Sequence, residues 1–597
     1  MKKLSSSIAT VVALTVLLLA AVPAQALPRQ KEEWIEVRSA NFTLFSNAGA
    51  RNTTRIGADL ERLRGALSQL MPGLALSSPY PTSIFVFDNA SSFKPYQQIF
   101  AGKSLAVGGY FMSRELGNYV AIDGNPKGDG TGIIYHEYLH YVLRNNYASL
   151  PLWLNEGLAE YYSTFEVVGD EAKIGLPLVE HIRWLRRNHN RRLPLPALLA
   201  INETSPEYNE NERRGAFYAH SWALVHYLLA GSPERRDQAV GYLRLLQEGE
   251  PLDASFQRSF GDTAALEREL KTYIQSYTFN FSRAPIRSET DLSLQVLPMA
   301  WHDVLTRLGD LLVNIGAEHH EEAAKHFRAA LEAKPDHGPA LAGLGQIEEQ
   351  AGRLSEAQAL YEQATRHAPD DFLVQYLYGR LLLDLDQSST SLAQSRAALS
   401  RVVALRPDFG EAWARLGYTW TGAETLSTDA VRALETAHRL LPSRMDVAHN
   451  LAIAYAQAGQ PQKTGELIER MIAARAPDHY VENAREALLE EDHRRAEELV
   501  GKQKLEEALQ ILEQVRDRTQ RPEKRTALDA RVAEVRGVLE FNRFADGYNE
   551  AVRLANRGDR KGAIAVLEPL VETTKNPDQA RQAREMLDAL RELQGER

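Results

Sequence analysis

The sequence predicts an α+β domain followed by an all-α region of repeated helix pairs. Short strand-like and helix-like segments alternate over residues 34–125, and prolines recur at intervals of 34 to 38 residues beyond Trp301. The length alone suggests about four domain-sized units, because 597 residues are too many for one hydrophobic core.

The composition is that of an ordinary globular protein, with 44% hydrophobic and 25% charged residues. A net charge of −10 does not supply the basic face that nucleic acid requires, so no nucleic-acid partner is expected. The absence of cysteine excludes disulfides, thiolate metal ligands and a cysteine nucleophile.

Residues 1–26 have the pattern of a signal peptide. Lys2 and Lys3 precede an apolar run over Ile8–Val22, and Ala24-Gln25-Ala26 fits the small-residue cleavage rule. We expect cleavage after Ala26, a periplasmic or secreted protein, and no membrane span after cleavage, because no later stretch is long and apolar enough.

The part that precedes the first histidine motif predicts strands and one long helix. The helix is indicated by apolar residues at helical spacing over Arg55–Met71. The predicted strands are Trp34–Val37, Phe42–Phe45, Ser83–Phe87, Leu105–Met112 and Tyr119–Asp123.

The segment HEYLH contains two histidines four residues apart. On a helix, His136 and His140 lie on one face, one turn apart, so both imidazoles can bind a single zinc ion. Glu137 is placed to act as a general base on a water molecule. Glu156, in the following NEGLAE segment, is the candidate third ligand, and Glu160 lies one turn further on the same face.

These two segments, HEYLH and PLWLNEGLAEYY, resemble those of the gluzincin metallopeptidases, and most closely the bacterial peptidase MA-like group. The resemblance implies a zincin-like α+β metallopeptidase domain, here residues 27–282. It also implies that His136, His140 and Glu156 bind Zn²⁺ while Glu137 activates water. Glu160 takes the place of the aspartate that supports a ligand histidine in the thermolysin group, and Asn155 is expected beside it.

Gly108 and Gly109 are candidate substrate-binding residues. In the enzymes that this chain resembles, an edge strand ahead of the zinc helix pairs with the substrate backbone, and glycines would let a peptide approach closely. The alternative is a simple bulge or turn.

Tyr218 is the candidate donor to the oxyanion that forms during peptide hydrolysis, because related gluzincins use a tyrosine near the start of such a helix. His220 is the alternative donor if the register of this helix differs. Packing within the helix is the alternative for both residues.

Beyond a predicted linker at 283–300, the residues spaced around each proline match the tetratricopeptide (TPR) pattern. Counting back from Pro369 gives small and aromatic residues at Ala364, Tyr361, Ala357 and Gly345. We expect an all-α TPR solenoid over 301–480 and weaker repeats over 481–597. Its concave face is expected to hold a protein partner, unless the repeats only scaffold the enzyme.

The sequence therefore predicts an exported zinc metallopeptidase that acts on peptide or protein substrates. The alternative is a non-catalytic TPR adaptor, similar to a chaperone, whose peptidase-like domain only binds polypeptide.

Overall fold

The computed structural model describes residues 27–71, 73–76, 81–100, 103–104, 108–125, 130–147, 150–209, 211–286, 293–386, 388–420 and 427–595. The predicted signal peptide and residues 105–107 of a predicted strand lie outside this part of the chain. The chain divides into two compact units, residues 1–448 and 449–597. Within the described residues, no helix has the length and apolar character needed to cross a membrane.

The strands of the first unit begin before the histidine motif and end just before the repeats. They are β1 (Ile35–Arg38), β2 (Thr43–Ser46), β3 (Thr82–Phe87), β4 (Ile99–Phe100), β5 (Lys103–Ser104), β6 (Gly109–Arg114), β7 (Gly117–Asp123), β8 (Glu166–Val168), β9 (Glu171–Ile174), β10 (Ser282–Pro285) and β11 (Gln295–Pro298).

The helices that accompany these strands are α1 (Ala50–Leu70), α2 (Ala90–Phe93), α3 (Gly130–Asn146), α4 (Leu152–Ser163), α5 (Val179–Arg187), α6 (Leu195–Ala200), α7 (Pro206–Asn209), α8 (Asn211–Ala230), α9 (Pro233–Gln247), α10 (Leu252–Phe260) and α11 (Thr263–Ile274).

Six strands form the main sheet, in the order β11-β1-β2-β3-β7-β6. β2, β3 and β7 run parallel, and the other neighbours are antiparallel. The strand β3 is apolar at consecutive positions because both faces of the sheet are covered. Ile84 belongs to the core that contains residues of α1 and α3, whereas Phe85 belongs to a second core with the first repeat helices.

The predicted linker at 283–300 needs correction, because it contributes strands to both larger sheets. Residues 282–285 form β10, which pairs with β9, and residues 295–298 form β11, which pairs with β1 in the main sheet. The chain therefore returns to the first sheet before it enters the repeats.

Helix pairs follow without further strands in the described residues. Those that begin in the first unit are α12 (Trp301–Ile315), α13 (His320–Ala333), α14 (Gly338–Gln350), α15 (Leu354–His367), α16 (Phe372–Leu385), α17 (Ser389–Leu405), α18 (Gly410–Tyr418), α19 (Thr428–Leu440) and α20 (Met445–Gln457). The remaining helices are α21 (Pro461–Ala473), α22 (Asp478–Gly501), α23 (Leu505–Arg518), α24 (Pro522–Asn556), α25 (Arg560–Thr573) and α26 (Pro577–Gly595).

Small residues bring the two helices of a repeat together, as the sequence pattern predicts. A Cβ atom on Gly345 would lie 2.7 Å from the ring of Tyr361 in the same repeat, and one on Gly309 would lie 2.8 Å from the ring of Phe327 in the preceding repeat. Tyr361 and Phe327 are fully buried, so substitution of either glycine would separate the paired helices. The predicted all-α repeat region is confirmed.

Candidate metal centre

Two imidazoles face each other on α3. This helix buries Leu139, Val142 and Leu143 in the main core, whereas His136 and His140 are only half-buried. Their Nε2 atoms are 3.0 Å apart, as expected for side chains separated by one helical turn.

Helix α4 brings a carboxylate to the same point. Oε2 of Glu156 lies 3.6 Å from His136 Nε2 and 3.3 Å from His140 Nε2. The residue is 3% exposed, and its Oε2 accepts no hydrogen bond in the described structure. The next residue, Gly157, lets α4 pack closely against α8, because a Cβ there would lie 2.5 Å from Ser221 O.

Acceptors lie near the outer nitrogens of both imidazoles. Asn155 Oδ1 lies 3.2 Å from Nδ1 of His140, and Glu160 Oε1 lies 3.7 Å from Nδ1 of His136. Such partners favour a proton on Nδ1 and leave the Nε2 lone pair free to bind a metal. The structure thus brings Asn155 and Glu160 to the positions that the sequence predicts.

His181 is a neighbour of this group that sequence reasoning missed. Its Nε2 lies 3.3 Å from Oε2 of Glu160. It lies on α5, after the two short strands β8 and β9, so no spacing relates it to the histidine motif.

The electrostatics of the group favour a cation. Burial by itself lowers the pKa of His136, but the carboxylates of Glu156, Glu160 and Glu137 raise it above its ordinary value. Burial raises the pKa of Glu156, yet the two imidazoles outweigh this and lower it to about 2. The carboxylate is therefore ionised at neutral pH and able to bind a metal.

A cavity of about 530 Å³ opens onto the three ligand atoms. Glu137 lines it beside His136, and burial raises the pKa of this carboxyl above its ordinary value. The rest of its wall includes Phe111, Arg144, Glu203, Tyr208 and Tyr218.

Of the two candidate oxyanion donors, Tyr218 lies in the cavity wall and His220 does not. Tyr218 lines the cavity, whereas His220 uses both ring nitrogens elsewhere: Nδ1 lies 2.7 Å from Ala216 O, and Nε2 accepts the Leu193 N–H at 3.2 Å. Burial lowers the pKa of His220 to about 4. His220 is a neutral packing residue and does not reach the cavity.

Tyr208 is a second residue that the sequence did not indicate. Its hydroxyl donates to Glu156 Oε1 at 3.3 Å. It lies on α7, a one-turn helix in the polar stretch before Tyr218 that has no apolar periodicity. A tyrosine in the polar stretch shortly before Tyr218 was the signal that could have indicated it.

The two candidate glycines have different environments. Gly109 is the first residue of β6, the edge strand of the main sheet, and a Cβ there would lie 2.7 Å from Ile122 Cγ2 on the paired strand. The close pairing of β6 with β7 therefore requires a glycine at position 109, which agrees with a structural role for this residue. Gly108 is exposed, and a Cβ there would only touch Ile133 on α3 at 3.6 Å.

The three ligand atoms fit a zinc ion. Bonds of about 2.0–2.1 Å in a tetrahedral arrangement place ligand atoms about 3.3–3.4 Å apart, and the observed separations of 3.0, 3.3 and 3.6 Å bracket this value. The buried, unpartnered Oε2 of Glu156 also agrees, because such an atom is costly without a partner.

Two family models match parts of the chain. One, described as a tetratricopeptide repeat, matches residues 314–381. The chain contains a TPR region. The other, described as a protein of unknown function (DUF1570), matches residues 132–253. That range contains His136, His140 and Glu156, and its description assigns no activity.

Similar proteins share the repeats. Superkiller protein 3 of Schizosaccharomyces pombe (strain 972) is 27% identical over 173 residues, which are 27% of this chain and 12% of that protein. The chain thus spans only a small part of that curated relative.

Two solved structures show the same limited likeness. YrrB, described as a TPR protein with an unusual peptide-binding site, is 20% identical and covers 31% of this chain and 91% of its own, with a TM-score of 0.27. PilF of Pseudomonas aeruginosa is 16% identical, covers 38% and 97%, and also has a TM-score of 0.27. At these scores neither structure defines the arrangement of the present chain.

Proposed function

We propose that this TPR protein is a zinc-dependent peptidase of the gluzincin type, with a zincin-like α+β domain and repeats that mediate protein–protein interaction. The observation that carries the proposal is the convergence of two Nε2 atoms and one buried carboxylate oxygen within 3.6 Å of one another.

His136, His140 and Glu156 would hold the ion, with Asn155 and Glu160 orienting the imidazoles. Zinc bound there would supply Lewis-acid chemistry, which polarises a carbonyl and lowers the pKa of water to about 7. Three protein ligands are typical of a catalytic rather than a structural zinc site.

Glu137 is the proposed general base. Its position in the cavity wall allows it to accept a proton from water as the water oxygen bonds to the scissile carbonyl carbon. The carbon–nitrogen bond then breaks, and the same carboxyl returns the proton to the leaving amine. Tyr218, in the same wall, would donate its O–H to the oxyanion.

Substrate would lie along β6, which is the edge strand next to α3. An extended peptide can add to such an edge through main-chain hydrogen bonds. Phe111, on this strand, also lines the cavity, so a chain paired with β6 would pass the proposed metal ligands.

Zinc analysis and digestion together test the proposal. The purified protein should contain zinc and cleave casein or a peptide library, and a chelator should abolish cleavage. Glu137→Gln should keep the zinc and lose at least about 10²-fold in turnover, whereas His140→Ala should lose both. His302→Ala is the matched control, because His302, Asp303 and His337 form the other potential ligand group of the described residues. Cleavage by Glu137→Gln at the wild-type rate would refute the mechanism.

A second candidate is a non-catalytic adaptor whose N-terminal domain only binds polypeptide. The family matches favour it, because they support a protein-interaction region and describe no activity for residues 132–253. Capture of intact polypeptide by wild type and Glu137→Gln alike, without cleavage by either protein in the presence of zinc, would establish this alternative.

A further inference from the structure

The turn between β6 and β7 is held by the repeats. Glu115 and Leu116 form this turn, at the end of the edge strand that borders the proposed cleft. Leu116 is 5% exposed and belongs to a buried cluster that also contains Leu341, Tyr361 and Tyr376 of the repeat helices. Leu116 is therefore packed into the repeat region, while the Glu115 side chain stays 36% exposed.

The Glu115 carboxylate is bound by three donors from the repeats. Tyr376 Oη donates to Oε1 at 2.9 Å, Arg415 Nη2 donates to Oε1 at 2.8 Å, and Arg380 Nη1 donates to Oε2 at 3.3 Å. Tyr376 and Arg380 lie on α16 and Arg415 lies on α18, which are the first helices of two successive repeats.

Further carboxylates hold the two arginines in place. Arg380 Nη2 donates to both oxygens of Glu349 on α14 at 2.5 Å, and Arg415 Nη1 donates to Asp384 at 2.8 Å. The arginine side chains are only 12% and 20% exposed. Burial raises the pKa of Glu115, but Arg380, Arg415 and Tyr376 outweigh it, so the carboxyl remains ionised.

We propose that the first helices of these repeats, α14, α16 and α18, form an internal receptor for the Glu115 turn that fixes the edge strand β6 beside the His136–His140–Glu156 cluster. The occupant of this receptor is a segment of the same chain. Glu115 acts as a positioning residue, because it acts through β6 and does not line the cavity.

The consequence for substrate rests on the proposed peptidase function. β6 has a partner on one side only in the described sheet, so its position at the free edge depends on the β7 ladder and on the anchored turn. Release of the turn would loosen the strand on which an extended substrate is expected to pair, while the metal ligands on α3 and α4 keep their places.

Hydrogen exchange followed by mass spectrometry tests the receptor without any activity. In full-length Glu115→Ala, peptides that contain residues 109–114 should exchange about tenfold faster, which corresponds to the loss of charge-assisted hydrogen bonds. Glu115→Gln provides the same test with a smaller change in shape. Asp370→Asn is the matched control, because it removes a carboxylate of the repeats that pairs with Arg401 at 2.6 Å, whereas the donors to Glu115 are Tyr376, Arg380 and Arg415. It should leave the exchange of β6 unchanged.

Steady-state kinetics test the consequence for substrate. Glu115→Ala should raise KM for an extended peptide about fivefold to tenfold, with kcat and zinc content unchanged. Equal hydrogen exchange of β6 in wild type and both Glu115 variants would contradict the proposal that the receptor fixes this strand. Faster hydrogen exchange of β6 with an unchanged KM would contradict the role of Glu115 in substrate positioning. If the wild type cleaves no substrate, the peptidase proposal fails. The exchange experiment still tests whether the receptor fixes β6.

Discussion

Tyr119 of β7 donates its hydroxyl to Oδ1 of Asp310 on α12, at 3.3 Å. This bond joins the main sheet to the first repeat helix. Asn314, one turn further along α12, donates to the same oxygen at 3.1 Å. The sheet and the first repeat thus share a polar contact within a largely apolar interface.

The burial of Asp310 at this contact predicts a specific dependence of stability on pH. Burial raises the pKa of Asp310 from 3.8 to about 6. The folded chain keeps this proton where the unfolded chain has released it, so the free energy of unfolding falls as pH rises from 3.8 to about 6. The loss should be about 1–3 kcal/mol.

Urea unfolding of the wild type and Asp310→Asn between pH 4 and pH 7 measures this effect. The difference between the two proteins should change over that interval, because asparagine keeps an acceptor for Tyr119 but does not titrate. A difference that stays constant with pH would contradict the assignment.

Gly157→Ala should disturb the metal centre through packing alone. The added Cβ would lie 2.5 Å from Ser221 O and from Val225 Cγ2, so α4 must move away from α8 and carry Glu156 with it. We expect a loss of about 1–3 kcal/mol of stability and weaker zinc binding. Gly215→Ala on α8 is the control, because nothing lies within 4 Å of its Cβ. Equal zinc affinity in both variants would contradict the prediction.

Asn155→Ala should weaken zinc binding without removing a ligand. The side chain lies 3.2 Å from Nδ1 of His140, and loss of such a partner typically costs about 10- to 100-fold in metal affinity. Competition with a chromophoric chelator measures this change. Asn188→Ala is the control, because it removes only a local hydrogen bond to Trp184 O, and it should bind zinc as the wild type does. A zinc affinity of Asn155→Ala equal to that of this control would contradict the orienting role of Asn155.

If the protein is exported, we expect its mature N terminus to be Leu27. Lys2-Lys3, the apolar run and Ala24-Gln25-Ala26 together have the pattern of a signal peptide, so we expect this segment to be removed on export. Expression of the full sequence in a bacterial host, followed by N-terminal sequencing of the periplasmic fraction, checks it. Recovery of an intact chain that begins at Met1 in the cytoplasm would contradict the prediction.

The main parts of the site were predictable because their spacing is local. His136 and His140 are one helical turn apart on α3, so the 3.6-residue period brings them together. Glu156 follows on the next helix after a short connection, which made it the nearest candidate for a third ligand. The repeats were predictable for a similar reason: Tyr361 and Ala364 recur at a fixed distance before Pro369.

Other contacts depend on long-range packing that no local pattern encodes. β11 pairs with β1 although about 260 residues separate them, and its four residues are exposed, so the segment had the pattern of a linker. His181 reaches Glu160 from another helix. Glu115 is an ordinary turn carboxylate in the sequence, and only the folded chain brings Arg380 and Arg415 to it.

Anomalous diffraction at the zinc absorption edge, on crystals of the protein purified without chelator, tests the metal centre most directly. We expect a peak about 2.0–2.2 Å from Nε2 of His136, Nε2 of His140 and a carboxylate oxygen of Glu156, with the remaining coordination position facing the cavity. An empty site in zinc-supplemented crystals, or a fourth protein ligand closing that position, would contradict it.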